Sequence, residues 1–143
     1  MNFTNFITHN GKRVNREHFL HLVQVAKIDG VIQDNEYRLL HKEGRKFGLT
    51  DPEIDQFILT EDADNYHPPY ALHDKFEELY NIAEMVLADE VVSESEMRMI
   101  RRYAVAAGFS DETVEGLLEI LIEGVAKNED EESLLKKFKK KYL

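Results

Sequence analysis

Apolar positions recur at three- and four-residue intervals along most of the chain, and no stretch of strict alternation is long enough to predict a strand. Phe19, Leu22, Val23 and Ala26 mark a helix from about Asn15 to Ile28, ended by Asp29-Gly30. Tyr37, Leu40, Gly44 and Phe47 mark a second helix, stopped at Gly48. Thr50-Asp51-Pro52-Glu53 opens a third, with a capping box and a proline where its missing N–H costs nothing. Glu61 to Pro69, with three acids and the Pro68-Pro69 pair, reads as a linker or exposed loop. The same order then returns. Leu79, Ala83, Val86 and Leu87 mark a helix, and Ser93-Glu94-Ser95-Glu96 is a capping box for the next, which carries Ile100, Tyr103, Ala104 and Ala107. Ser110 opens another, with Val114, Leu117, Leu118, Leu121, Ile122 and Val125 as its core face. Asn128-Glu129-Asp130 breaks it, and Glu131 to Tyr142 reads as a terminal helix, acidic at its start and lysine-rich at its end as the helix dipole favours. Residues 1–14 predict no single element.

The recurrence is an internal repeat. Residues 19–54 lie over residues 79–114 without a gap: Asp29 on Asp89, Val31 on Val91, Ile32 on Val92 and Glu36 on Glu96. In the same frame Arg38 falls on Arg98, Leu40 on Ile100, Gly48 on Gly108, Leu49 on Phe109, Thr50-Asp51 on Ser110-Asp111 and Ile54 on Val114. Helical period alone can align apolar positions, but not an Asp, a Glu, an Arg and a Gly in one frame. The expected fold is all-α, a compact bundle of about seven helices. It is built from two pseudo-two-fold-related helical-hairpin repeats, over about 16–58 and 71–125, with a C-terminal helix over about 130–142, in one domain spanning 1–143.

Charge adds asymmetry. The chain of 143 residues carries 18 basic and 28 acidic side chains, net −10. Residues 1–60 balance with 8 of each, residues 61–133 carry 5 basic and 20 acidic, and the last ten residues carry five lysines and no acid. The acidic balance argues against nucleic-acid binding, and the lysine run Lys136–Lys141 offers at most peripheral contact with an anionic surface. Zero cysteines exclude disulfides, thiolate metal sites and cysteine nucleophiles. No apolar stretch approaches the roughly 20 residues of a membrane helix. No basic segment leads into an apolar core at the start, so a cytoplasmic location is expected.

The repeated turns hold the candidate chemistry. Asp29-Gly30-Val31-Ile32-Gln33-Asp34-Asn35-Glu36 matches the second half of an EF-hand loop. The first half fails, because Val25 and Lys27 stand where carboxylates are needed; Met85, Leu87 and Glu90 break the pattern in the second copy. Asp29, Glu36, Asp89 and Glu96 converge if the two-fold brings the turns together, and four close carboxylates then call for a neutralising cation. All-oxygen ligands suit Ca²⁺, Mg²⁺ or Mn²⁺. The competing reading is structural: Glu96 completes a capping box, Glu36 a weaker one, and the aspartates accept turn amides. The six histidines form no zinc pattern and read as surface residues. Glu112, Glu115, Glu119 and Glu123 read as a solubilising stripe. No phosphate loop or Ser-His-Asp arrangement is present, so no enzymatic activity is expected.

Ile28-Asp29-Gly30-Val31-Ile32 followed by Glu36, and Ala88-Asp89-Glu90-Val91-Val92-Ser93 followed by Glu96, resemble the tellurite-resistance TerB-like family. That family pairs an Ala-Asp-Gly-x-Val/Ile turn with a helix bearing a glutamate and a downstream Gly-hydrophobic-Ser/Thr break, here Gly48-Leu49-Thr50 and Gly108-Phe109-Ser110. The likeness spans about residues 16–125 and departs from the pattern at Ile28 and Glu90. It implies an all-helical fold with pseudo-two-fold halves, and acids proposed to bind metal, matched here by Asp29, Glu36, Asp89 and Glu96. It also implies a role in bacterial stress or tellurite response. The expectation is a non-catalytic TerB-like domain that binds a divalent cation or a protein partner through its acidic cluster, a homodimer being one form of partnership. The alternative is a pure protein-interaction module with structural acids and no metal.

Overall fold

The computed structural model describes residues 6–7, 13–14, 16–28, 30–46, 48–87 and 92–143. Seven helices dominate these residues: α1 (Arg16–Ala26), α2 (Asp34–Arg45), α3 (Asp51–Thr60), α4 (Leu72–Val86), α5 (Glu94–Ala106), α6 (Asp111–Ala126) and α7 (Glu131–Tyr142). The N-terminal segment adds one thing the pattern did not predict, a two-residue antiparallel pairing of β1 (Phe6–Ile7) with β2 (Arg13–Val14). Such a ladder is too short to show alternation.

The two halves keep the sixty-residue frame. α2 and α5 start at Asp34 and Glu94, α3 and α6 at Asp51 and Asp111, and α1 and α4 end at Ala26 and Val86. The reasons are local. Thr50 and Ser93 accept N–H bonds from Glu53 and Glu96, which bond back to the cap amides. Gly48 and Gly108 take φ of 80° and 99°, left-handed values that a side chain would strain, and so end α2 and α5 alike.

Phe19, Leu40 and Ile54 from the first half, and Phe76, Leu79, Ile82, Ile100, Tyr103 and Leu117 from the second, have no exposed surface and form one core. α7 closes it from outside the repeats. Its Leu134, Leu135 and Phe138 are buried, Phe138 meeting Phe76 at a tilt and Phe109 edge-on with ring centroids 5.9 and 5.7 Å away. The five tail lysines lie on the opposite, exposed face.

The loop between the halves is anchored. A 3-10 turn over Ala63–Asn65 leads into Tyr66, 9% exposed, whose ring meets those of His21 and Tyr103 edge-on at 5.5 and 5.7 Å. The expected exposed linker is a largely exposed strap, anchored by Tyr66 and by Glu61, whose carboxylate and carbonyl accept from Gln24 of α1 and from Lys27 just past its end. No helix among the described residues is long and apolar enough to cross a membrane.

Candidate functional site

The repeat brings together the N-terminal ends of α2 and α5, which follow the two turns, or elbows. Asn35 Nδ2 lies 3.4 Å from Ser95 Oγ, and these residues are counterparts in the sixty-residue frame. A position in contact with its own counterpart sits at the pseudo-two-fold axis, so the N-termini of α2 and α5 flank that axis.

Glu36 and Glu96 face it, each closing its own helix start and gripping the other half. Glu96 Oε1 accepts the Ser93 N–H at 3.0 Å, and its Oε2 lies 3.2 Å from Lys42 Nζ. Glu36 Oε1 accepts the Gln33 N–H at 3.1 Å, and its Oε2 pairs with the Arg102 guanidinium. Lys42 and Arg102 are themselves counterparts, so the two ion pairs are reciprocal cross-braces. Arg102 also donates to Ala26 O at 3.2 Å, and Lys46 to Met85 O at 2.7 Å. Each half thus sends a cation to the carbonyl end of the other half's first helix, where the dipole favours it. Glu36 and Glu96, two of the four expected acids, each pair with a cation of the other half. Asp29 and Asp89 lie outside the described residues. Among the described residues no cluster of His, Asp and Glu is arranged to hold a metal ion.

Beneath one brace lies a buried acid that the sequence did not mark. Glu43 has no exposed surface, and its Oε1 is 2.9 Å from Lys46 Nζ. Burial pushes its carboxyl up to about 7, overcoming the pull of Lys46, and the nearby Glu96 adds to the rise.

Two histidines expected at the surface are built into the fold. His41 is 6% exposed, its Nδ1 2.8 Å from Asp51 Oδ1 and its Nε2 2.8 Å from Asp55 Oδ1. Asp55 also accepts the Tyr37 hydroxyl, and Arg45 Nε reaches Asp51 at 3.1 Å, so the cluster pins α3 to α2. His41 holds the Asp51 carboxyl below its usual range, and Tyr37, then His41, do the same for Asp55. A carboxyl depressed in the folded state contributes stability that is complete above the ordinary aspartate value near 3.8 and lost as pH falls through the lower folded value. The stability gap between the wild type and Asp51→Asn/Asp55→Asn should therefore close on acidification below that value, as urea melts taken from pH 6 to pH 2.5 would read. A gap independent of pH would contradict the assignment.

His21 belongs to a second cluster: its Nδ1 is 3.2 Å from Glu78 Oε2, and the Tyr103 hydroxyl donates to Glu78 Oε1 at 2.7 Å. Burial alone would raise the Glu78 carboxyl, but His21 and Tyr103 outweigh it and hold it down. Tyr66 also reaches Glu78, so this cluster ties the strap to the body.

Beside the first elbow an open groove of about 450 Å³ runs between the C-terminal ends of α1 and α5. Val25, Ile28, Val105 and Ala106 make its apolar surface, and Arg98, Arg101 and Arg102 its cationic side. Ile28 and Val105 are 49% and 46% exposed, and Val31 beyond them 65%. Arg101 forks onto Glu115 at 2.7 and 3.2 Å. Arg102 thus serves both as brace and as groove wall.

Comparison of the chain with protein-family models, curated proteins and solved structures finds no match. The TerB-like resemblance therefore rests on the residues of the two elbows themselves.

Proposed function

We propose that this chain is a non-catalytic protein-binding module of TerB-like kind, whose elbow acids brace the two halves and whose partner docks in the α1–α5 groove. The observation that carries the reading is how the carboxylate oxygens at the axis are used. Both oxygens of Glu36 and both of Glu96 face a protein donor, so their charge is answered from within the chain. A divalent ion there has to displace Arg102 and Lys42, which costs two ion pairs. The groove beside them has half-exposed Ile28 and Val105 at its surface, and apolar surface of that kind marks interaction sites. A part in bacterial stress or tellurite response is what the family resemblance adds to this reading.

The test is a random peptide display library selected on the full chain. Binders should be lost with Val105→Glu or Ile28→Glu and kept with Glu36→Gln/Glu96→Gln. A selection that yields no groove-dependent binder, or binders lost only with the elbow variants, overturns the proposal.

A further inference from the structure

We infer that the occupant of the groove is an acidic amphipathic helix of a partner protein. This rests on the docking reading above and adds the chemistry of the partner. Arg98, Arg101 and Arg102 stand at i, i+3 and i+4 on α5, so all three project from one helix face. Their availability differs. Arg98 is exposed and has no carboxylate partner among the described residues. Among the described residues Arg101 is bound to Glu115, an exposed residue, and a guanidinium can trade one solvated carboxylate for another with little loss. Arg102 is held by Glu36 and Ala26 O and stays in place as the wall.

The counterpart positions in the first half make the contrast. There Val105 and Ala106 are replaced by Arg45 and Lys46, which bind Asp51 and Glu43 and serve packing. Arg101 is replaced by the buried His41. The repeat has thus kept its braces in both halves and opened an apolar, arginine-lined strip in one.

That strip asks for a particular ligand. Its lining along α5, from Arg98 to Ala106, suits apolar side chains spaced i and i+3 or i+4, the mode in which amphipathic helices dock. Guanidinium forks match carboxylates in bidentate geometry, so Asp or Glu beside those apolar residues completes the fit. Among the described residues Glu36 and Glu115 are the carboxylates paired with these arginines, which leaves Arg98 as the first point of contact. In a chain of net −10, a basic partner has many other faces to prefer; an acidic one has this patch and the lysine tail.

Peptides taken from the groove-directed selection, synthesised and measured by fluorescence anisotropy against the full chain, test the inference. They should carry Asp or Glu one turn from paired apolar residues. Arg98→Glu, an exposed change that leaves the melting temperature unmoved, should weaken them about ten-fold or more, and a Glu→Lys peptide should recover binding to that variant. Neutral or basic peptides, or acidic ones indifferent to Arg98→Glu, overturn the acidic-helix inference. Docking itself survives if Val105→Glu still abolishes their binding, and falls if it does not. Self-association of the chain that disappears with Val105→Glu would make a second copy the occupant and also overturn the inference.

Discussion

Glu96→Ala is expected to destabilise the protein by about 2–4 kcal/mol, lowering the melting temperature by roughly 6–15 °C. Three losses coincide. The capping box of α5 loses the acceptor of the Ser93 N–H, which alone is worth about 1 kcal/mol. Lys42 loses its partner across the axis. A side chain only 1% exposed leaves a gap behind it. The cost stays below that of a fully buried broken pair because Lys42 is 44% exposed and can be hydrated. Glu96→Gln separates the parts, since an amide oxygen still caps but no longer pairs, and should cost about half as much. Glu36→Ala should be milder than Glu96→Ala: Glu36 is 14% exposed, and Arg102 keeps its bond to Ala26 O. Thermal melts of the three variants decide the ranking. Equal, near-zero losses would show that the braces carry no load.

The opposite sign is expected at Glu43. Its carboxyl titrates at about 7 in the folded protein against 4.5 when free, so the native state binds the proton more tightly. For an acid shifted upward, stability is greatest below the unfolded value and declines as pH rises from there to the folded one. The penalty is then complete above pH 7, at most roughly 3 kcal/mol. Glu43→Gln removes the charge and keeps the shape, while Lys46 retains Met85 O. The variant should match the wild type at pH 4.5 and exceed it by about 1–3 kcal/mol at pH 8. Denaturant melts at both values read this directly; a variant weaker than the wild type at pH 8 would mean that the buried carboxylate is charged and needed. The two predictions are linked. Glu96 adds to the elevation of Glu43, so Glu96→Ala should also shallow the decline with pH.

The helices were legible because each rests on signals confined to a few neighbours: apolar period, a cap, a glycine. Thr50, Ser93, Gly48 and Gly108 act where the pattern places them. The repeat frame went further, since two-fold halves bring matching helix starts together, and Asn35 against Ser95 shows α2 and α5 meeting there. The braces were harder. Lys42 and Arg102 look like any basic residue on an amphipathic helix, and only their coincidence in the sixty-residue frame signals them. Polar residues that the fold buries were misread or missed for one reason: the pattern equates polar with exposed. His41 draws its partners Asp51 and Asp55 from the next helix, Glu43 is buried beside Lys46 of its own half with Glu96 of the other half nearby, and Tyr66 is an aromatic inside an otherwise polar loop. Tyr37, one of the positions that mark the second helix, is 40% exposed and spends its hydroxyl on Asp55. Phe47 lies outside the described residues. The groove depends on where the ends of α1 and α5 come to lie beside each other, which no local pattern encodes.

Titration of the full chain with Ca²⁺, Mg²⁺ and Mn²⁺, followed by calorimetry and thermal melting, puts the structural role of the elbow acids at risk most directly. With Glu36 and Glu96 held by Arg102 and Lys42, millimolar ion should release no binding heat and move the melting temperature by less than about 1 °C. A saturable rise of several degrees, abolished by Glu36→Gln/Glu96→Gln, would make these carboxylates cation ligands and contradict the account.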